Sequence, residues 1–251
     1  MDNHSGKIIP IQNIIKKLDT YLNKEDYDGA DRLLRYWLNE AQLIEDRRGE
    51  LSILNEILGF SRRINDAEGG ISAMERCIGL LGEISVDDKT AGTVLLNGAT
   101  TMKAFGKAAE AIEYYERAER LFRCCLTEND PLWGGLYNNY ALALSDLARY
   151  DDALDLYQKA IDIMSKKENG VLEIAITLTN VAELMEQIGE SDALIEQFLE
   201  HALALLNEPE LPRNGYYAFV CRKCAPTFGH FGWFMAQKDL DERANRIYEG
   251  N

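Results

Sequence analysis

Two cysteines and a histidine near the end of the chain form a pattern that could bind a metal ion. Cys221 and Cys224 are separated by two residues, and His230 follows six residues after the second cysteine. Two thiolates and an imidazole can coordinate Zn²⁺, but a structural zinc site needs a fourth ligand, and no clear one stands nearby. Both cysteines also fall on the apolar stripe of a predicted helix, where buried Cys acts as a small hydrophobe. We therefore expect packed thiols, with no bound metal and no other cofactor.

The sequence contains few side chains in patterns that suggest catalysis. The sequence has three histidines, and none stands near a nucleophile in a pattern that suggests acid–base chemistry. It contains no Gly-x-x-x-x-Gly-Lys-Ser/Thr loop of the kind that binds phosphates. The acidic pair Asp151-Asp152 lies at a predicted helix start, where carboxylates favour the helix dipole. We expect that the protein is not an enzyme.

Charge and hydropathy restrict the partners and the compartment. With 42 Asp and Glu against 27 Lys and Arg, the formal net charge is −15, which disfavours nucleic acid and anionic membranes. The sequence lacks the run of roughly 18 apolar residues that a membrane span requires, and its start does not resemble a signal peptide. The five cysteines are an odd number, so a disulfide framework is not expected. These features predict a cytoplasmic protein.

Small residues recur at fixed offsets and predict stacked helical hairpins. Ala141, Ala153 and Ala160 are spaced by 12 and 7 residues, and the same spacing occurs 42 residues earlier. Apolar residues in each copy recur at intervals of three and four, which is typical of a pair of amphipathic helices. The pattern predicts about twelve helices and no strands. The other copies are Ala99, Ala111 and Ala118; Leu58, Gly70 and Cys77; Leu18, Ala30 and Trp37; and, with one extra residue, Ala182, Ile195, Leu199 and Ala202.

The best copy resembles a known repeat family. Asn139 to Ala160 reads Asn-x-Ala-x-x-Leu followed by Tyr-Asp-Asp-Ala-Leu-x-Leu-Tyr-x-Lys-Ala, and it resembles a tetratricopeptide repeat. The step of 41 to 42 residues exceeds the family's usual value of about 34 and is similar to the long repeats of kinesin light chains and many bacterial proteins. The resemblance implies an all-α fold, a right-handed α-solenoid of about six stacked helix-turn-helix repeats in one domain, residues 1–251. Its predicted repeats are 10–46, 48–86, 88–127, 131–168, 170–208 and 212–251, the last one an irregular cap in which Pro226 kinks or ends the first helix.

The resemblance also implies a binding groove lined by the first helix of each repeat. In the family, an Asn two residues before the small crossing residue often bonds the backbone of a bound peptide, and Asn97, Asn139 and Asn180 match that place. Asn55 lies 42 residues before Asn97, although the alignment shifts it by one position. An amide suits this task because it both donates and accepts; alternatively, each Asn bonds its own helix or water. Neighbouring groove residues are Asn138, Lys103 and Glu183.

The last repeat offers two further features. Arg222 and Lys223 are expected to form a basic spot beside Tyr216 and Tyr217 that could hold an acidic group of a ligand. The apolar cluster from Phe228 to Met235 is expected to seal the end of the core, the alternative being a patch for a partner or a homodimer. The predicted function is a non-enzymatic protein–protein interaction module that binds a peptide or protein segment. The alternatives are a peptide-sensing regulatory protein and a structural homo-oligomer joined through the C-terminal repeat.

Overall fold

The computed structural model describes residues 7–167 and 170–250, and in these ranges it contains twelve α-helices and no strand. The chain divides into two compact halves, Met1–Cys125 and Leu126–Asn251. The N-terminal half contains α1 Ile11–Leu22, α2 Tyr27–Leu43, α3 Arg47–Ile64, α4 Ala67–Glu83, α5 Asp88–Ala104 and α6 Ala108–Cys125. The C-terminal half contains α7 Pro131–Asp146, α8 Tyr150–Met164, α9 Val171–Gln187, α10 Asp192–Leu206, α11 Gly215–His230 and α12 Phe234–Tyr248.

Consecutive helices pair as hairpins within each half. The pairs are α1/α2, α3/α4 and α5/α6 in one half, and α7/α8, α9/α10 and α11/α12 in the other. First helices also pack against first helices, α3 on α5 and α9 on both α7 and α11. The all-α helical-repeat fold is therefore confirmed. The single domain over residues 1–251 and its six repeat boundaries stay a prediction, and residues 168 and 169 within them lie outside the described ranges.

The small residues of the repeat pattern lie where the helices pack most closely. The two best copies, Ala99, Ala111 and Ala118 and then Ala141, Ala153 and Ala160, are between 0 and 1% exposed. Tyr115 and Tyr157 fill the adjoining space and are also buried. Because a larger side chain at such a crossing would force two helices apart, the spacing of alanines determines which faces meet.

Aspartates begin three consecutive helices in the N-terminal half by the same device. Asp26, Asp46 and Asp66 each accept a hydrogen bond from the backbone N–H three residues on, at 2.8, 2.9 and 3.0 Å. That residue is Gly every time, and a Cβ at Gly29, Gly49 or Gly69 would lie only 2.1 to 2.5 Å from the cap's carboxylate oxygen. Glycine therefore permits the close approach of the cap, and the Asp-x-x-Gly spacing marks each helix start.

Left-handed residues make the turn inside each hairpin. Glu25, Asn65, Gly106, Ala148, Gly189 and Gly232 all have φ between +54° and +81°. Three of these six residues are glycines, which adopt a positive φ without steric cost. Pro226 does not end α11, which continues through it to His230. No helix among the described residues combines the length and the apolar character needed to cross a membrane.

Candidate functional site

Two asparagines bridge neighbouring first helices in the N-terminal half. Asn97 on α5 donates its side-chain N–H to the Oδ1 of Asn55 on α3 over 2.9 Å, and the two residues are 42 positions apart. Both side chains are partly buried. The bond holds the two amides in a fixed orientation, so the predicted groove residues Asn55 and Asn97 act as a pair rather than as separate groups.

The C-terminal half repeats this bridge with a different register from the one the sequence predicted. Asn180 on α9 donates to the Oδ1 of Asn138 on α7 over 2.9 Å, again at a separation of 42 residues. Thr177 donates to the same oxygen, and Asn138 is buried. Asn139 instead donates to the Gly135 carbonyl of its own helix. Because adjacent residues point about 100° apart on a helix, only one of the two asparagines can face α9, and it is Asn138.

Each bridge leaves hydrogen-bonding capacity unused. Asn97 and Asn180 use their amide N–H groups in the bridges. Within the described residues, their Oδ1 atoms have no hydrogen-bond partner. A side-chain carbonyl oxygen has two lone pairs, so each can accept a bond from a backbone N–H of a ligand. The bridges therefore present acceptors whose orientation is already fixed.

A cleft of about 390 Å³ lies on the first-helix face of the N-terminal half, between α1, α3 and α5. We call it the first-helix cleft. Burial and the nearby Asp19 raise the pKa of Glu56 in its wall, although Asn55 partly offsets this by a hydrogen bond to the carboxyl group. Its lining combines apolar Ile11, Ile15, Leu51 and Val94 with polar Ser52, Asn55, Glu56 and Thr93.

Arg62 of α3 lies against α5 and has no carboxylate partner among the described residues. Its guanidinium donates to the carbonyls of Leu58 and Asn97 at 3.2 and 3.1 Å and to the Thr101 hydroxyl at 2.6 Å. Burial lowers the pKa of Arg62 because it disfavours the positive charge of the guanidinium group. A carboxylate supplied by a ligand would compensate it. The predicted groove residue Lys103 lies in the last turn of α5, where a cation favours the helix dipole.

In the C-terminal half, side chains of α9 bond to α11 in a ladder. Glu183, another predicted groove residue, accepts a bond from the Thr227 hydroxyl over 2.6 Å. Glu186 contacts the Nε2 of His230 at 2.7 Å, and Tyr216 donates to Glu173. Burial raises the pKa of Glu173, while the charge of Lys223 acts in the opposite direction. This face is consequently acidic, but its carboxylates already contact α11.

The three residues of the metal-like pattern do not come together. Cys221 and Cys224 are fully buried in the core, and burial raises the pKa of Cys224 to about 12, which keeps it a thiol. His230 lies on the exposed side of α11 against Glu186. In the described part of the chain, no group of three or more His, Cys, Asp or Glu side chains could hold a metal ion.

The predicted basic spot on α11 requires a correction. Arg222 donates to the Oδ1 of Asn245 over 2.7 Å and stacks on the Tyr248 ring, so it faces α12, whereas Lys223 acts on Glu173 of α9. Consecutive helical residues diverge by about 100°, and the two charges serve different neighbours. Tyr217 is fully buried and cannot border a surface spot.

The aromatic end of the chain combines sealing with exposure. Phe228 is fully buried, and its ring centroid lies 5.9 Å from that of Trp233, which seals the core as expected. Phe234 and Met235 do not take part, because they are 67% and 80% exposed. Sequence reasoning treated these residues as one cluster, but α12 begins between them and carries the last two outward.

These features define the class: an α-helical hairpin repeat protein whose first helices are bridged by polar side chains. The family model described as tetratricopeptide repeat matches residues 134–208, which contain most of α7 and all of α8 to α10. The matched segment belongs to that family, and the rest of the chain has helical hairpins of the same type. No curated protein matches the sequence.

Solved structures show the same fold at low sequence identity. A Rap protein complexed with Competence and Sporulation Factor aligns with a TM-score of 0.66 and 14% identity over 97% of this chain, which spans 66% of that protein. The TPR-like repeats of a kinesin light chain of Podosopora anserina align with a TM-score of 0.53 and 13% identity, and the alignment covers 77% of this chain and 92% of that one. BtubC from P. vanneervenii aligns with a TM-score of 0.51 and 17% identity, and the alignment covers 97% of this chain and 92% of that one.

Proposed function

We propose that the protein is a non-catalytic interaction module whose first-helix faces bind an extended segment of a protein partner. The observation that carries this proposal is the pair of asparagine bridges, Asn55–Asn97 and Asn138–Asn180, one in each half. Each bridge fixes a carbonyl acceptor of the kind that a backbone N–H of an extended chain requires. Fixing the amides in advance reduces the entropy that is lost when a ligand binds.

The first-helix cleft supplies the remaining elements of recognition. Its apolar residues Ile11, Ile15 and Val94 can receive a side chain of the partner, and Arg62 beside Asn97 can receive a carboxylate. The likeness to a Rap protein, whose structure is a complex with Competence and Sporulation Factor, supports an interaction role for this fold. Peptide sensing linked to regulation, and a homo-oligomer through the last repeat, remain alternative predictions.

The experiment uses peptides selected from a random displayed library on the wild-type protein, followed by affinity measurements on purified variants. The double variant Asn97→Ala and Asn180→Ala removes the fixed acceptor of each half, worth about 1 kcal/mol apiece, so a peptide that contacts the bridge of either half should lose about fivefold in affinity. Asn139→Ala is the matched control, because Asn139 bonds the Gly135 carbonyl of its own helix and bridges to no other helix among the described residues. The affinity of this variant should be unchanged.

Circular dichroism at the assay temperature establishes that each variant keeps its helices. If selected peptides bind the double variant as tightly as the wild type, or if Asn139→Ala weakens them equally, the asparagine bridges are not the recognition element. The proposal would then be abandoned.

A further inference from the structure

A second cleft lies in the C-terminal half between the second helices α10 and α12, apart from the first-helix faces. It consists of two adjoining pockets of about 670 and 560 Å³, and Asn207, directly after α10, lines both. We call it the α10/α12 cleft. Its first pocket is lined by Arg213, Arg243 and Arg246, and its second by Trp233, Phe234 and Met235.

Two of the arginines are held rigidly by the end of α10. Arg213 donates to the carbonyls of Leu206 and Glu208, both at 3.2 Å, and its guanidinium lies 4.1 Å from the centroid of the Tyr217 ring. Arg243 donates to the same Leu206 carbonyl and to the Tyr217 hydroxyl, at 3.3 and 3.0 Å. A guanidinium fixed on one edge keeps its other N–H groups in a defined position for a ligand.

The carbonyls at the end of α10 are not carboxylates, so they do not neutralise the positive charge of these arginines. Arg243 has a carboxylate partner in Asp239, but neither Arg213 nor Arg246 forms an ion pair with any carboxylate among the described residues. Arg246 is exposed, and within the described ranges its side chain donates only to the Glu242 carbonyl, at 3.3 Å. In a chain with 42 acidic and 27 basic side chains, two uncompensated arginines in one pocket are a local reversal of the overall charge.

The other end of the cleft is mostly apolar and open to solvent, and the carboxylate in its lining, Asp239, is paired with Arg243. Phe234 and Met235 occupy the first turn of α12 and are 67% and 80% exposed, beside the partly buried Trp233. Large apolar side chains grouped next to arginine form the composition that recurs at the centres of protein interfaces.

We propose that the α10/α12 cleft binds an acidic segment of a protein partner. The carboxylates of that segment pair with Arg213 and Arg246, and an apolar side chain of it packs on Trp233, Phe234 and Met235. A small anion would use the arginines and leave the apolar end uncovered. A second copy of this chain would bring two whole molecules of charge −15 together, whereas a short acidic segment brings only its own few charges to the arginines.

The probe is a fluorescein-labelled synthetic peptide of alternating Glu and Leu, compared with the same peptide in which Gln replaces every Glu. Fluorescence anisotropy with the full chain should show that the acidic peptide binds about tenfold or more tightly than the neutral one, because carboxylate–guanidinium bonds are charge-assisted. Added NaCl should weaken the acidic peptide selectively. Equal affinity for the two peptides, or binding of neither, overturns the proposal.

Two variants separate this cleft from the rest of the molecule. Arg246→Gln and Met235→Ser alter exposed side chains, and each should weaken the acidic peptide by about threefold to tenfold. Arg32→Gln and Leu43→Ser change an exposed arginine and an exposed leucine of α2 and should have no effect. Equal effects in α2 and in the cleft would mean nonspecific binding and would overturn the proposal.

Three further results distinguish the α10/α12 cleft from the first-helix faces, and an acidic segment from a small anion or a second copy of the chain. Unchanged affinity for the acidic peptide in the double variant Asn97→Ala and Asn180→Ala supports a site that is independent of the first-helix faces. Displacement of the peptide by inorganic phosphate at equal concentration would reassign the cleft to small anions. A dimer in analytical ultracentrifugation that Met235→Ser dissociates would reassign it to a second copy of the chain, and either reassignment overturns the proposal.

Discussion

The clefts between second helices differ in how the two halves of the chain treat their arginines. In the N-terminal half, a cleft of about 450 Å³ is lined by residues of α2, α3 and α4, and both of its arginines have carboxylate partners. Arg35 pairs with Asp31 at 2.7 Å, and Arg76 pairs with Glu50 and Glu83. In the α10/α12 cleft, Arg213 and Arg246 lack such partners among the described residues.

A tyrosine buried at equivalent positions shows the same difference. Tyr115 in the N-terminal half donates its hydroxyl to Thr100 over 3.2 Å, whereas the buried Tyr157 hydroxyl forms no hydrogen bond of normal geometry in the described structure. The nearby Ser145 hydroxyl, which itself bonds the Ala141 carbonyl, only partly offsets the effect of burial on the Tyr157 pKa. Position 142, one repeat step after Thr100, is Leu. For the arginines of these two clefts and for these two tyrosines, the N-terminal half therefore supplies partners that the C-terminal half lacks. Where such groups are exposed they can bind a ligand, and where they are buried they cost stability.

The largest expected effect comes from breaking the charge network of the N-terminal half. Glu50 is fully buried and accepts hydrogen bonds from Nε and Nη2 of Arg76 at 2.9 and 3.1 Å, and further ones from Arg47 and Gln42. Removing one partner of a buried ion pair costs about 3 to 5 kcal/mol, and the partial exposure of both arginines reduces this to roughly 2 to 3 kcal/mol for Glu50→Gln. Urea unfolding measures this loss, and hydrogen exchange should locate it in α2 to α4.

The pH dependence of this variant has a defined sign. Burial raises the pKa of Glu50, but the hydrogen bonds from Arg76, Gln42 and Arg47 outweigh it and hold the pKa below its usual value. A depressed folded-state pKa means that the stabilisation is present above the unfolded pKa of about 4.3 and is lost as the pH falls through the folded value. The difference in the free energy of unfolding between wild type and Glu50→Gln should therefore become smaller at acidic pH.

The control variant is Arg35→Gln, which breaks an exposed ion pair and should change the free energy of unfolding by less than about 0.5 kcal/mol. An equal loss in both variants would contradict the comparison.

The second effect sharpens the tyrosine comparison. Tyr115→Phe should destabilise the protein by about 1 kcal/mol because a buried hydrogen bond is lost. Tyr157→Phe removes a hydroxyl that has no partner, so stability should be unchanged or rise by up to about 1 kcal/mol. Chemical unfolding of the two variants beside the wild type measures both values.

A third substitution tests the cause of that difference. With Thr in place of Leu142, the Tyr157 hydroxyl gains the partner that Tyr115 has, and Tyr157→Phe should become costly in that background. A double-mutant cycle isolates this coupling from the apolar surface that Leu142→Thr removes. A coupling energy of zero would show that position 142 does not determine the difference.

Much of the fold could be predicted from the sequence because the repeat pattern acts locally and at every copy. The spacing of Ala141, Ala153 and Ala160 predicts two amphipathic helices that cross there, and all three alanines are buried. The caps Asp26, Asp46 and Asp66 were missed, although their Asp-x-x-Gly spacing was readable.

The site was less predictable because orientation about a helix axis decides it. An error of one residue separates Asn139, which bonds its own helix, from Asn138, which bridges to Asn180. The α10/α12 cleft combines a residue of the loop after α10 with residues of α12, so Arg213 and Arg246 meet only in the folded chain. No repeat offset connects them.

The smallest expected effect concerns the carboxyl groups on the two first-helix faces. Burial raises the pKa of both Glu56 and Glu173, but the second-largest cause differs. The negative charge of Asp19 raises the pKa further at Glu56, and the positive charge of Lys223 lowers it at Glu173.

A raised folded-state pKa means that the folded protein binds the proton more tightly than the unfolded chain does. The stabilisation from this proton is full below the unfolded pKa and is lost as the pH rises through the folded value. Glu56→Gln should therefore stabilise the protein at pH 7, and the gain should vanish below a pH of about 4. Glu173→Gln should give a smaller gain, because it also loses the attraction of Lys223 and changes the group that Tyr216 contacts. Urea unfolding of both variants at neutral and acidic pH measures this order, and a larger gain from Glu173→Gln would show that burial alone, rather than the neighbouring charge, determines the energy of these carboxylates.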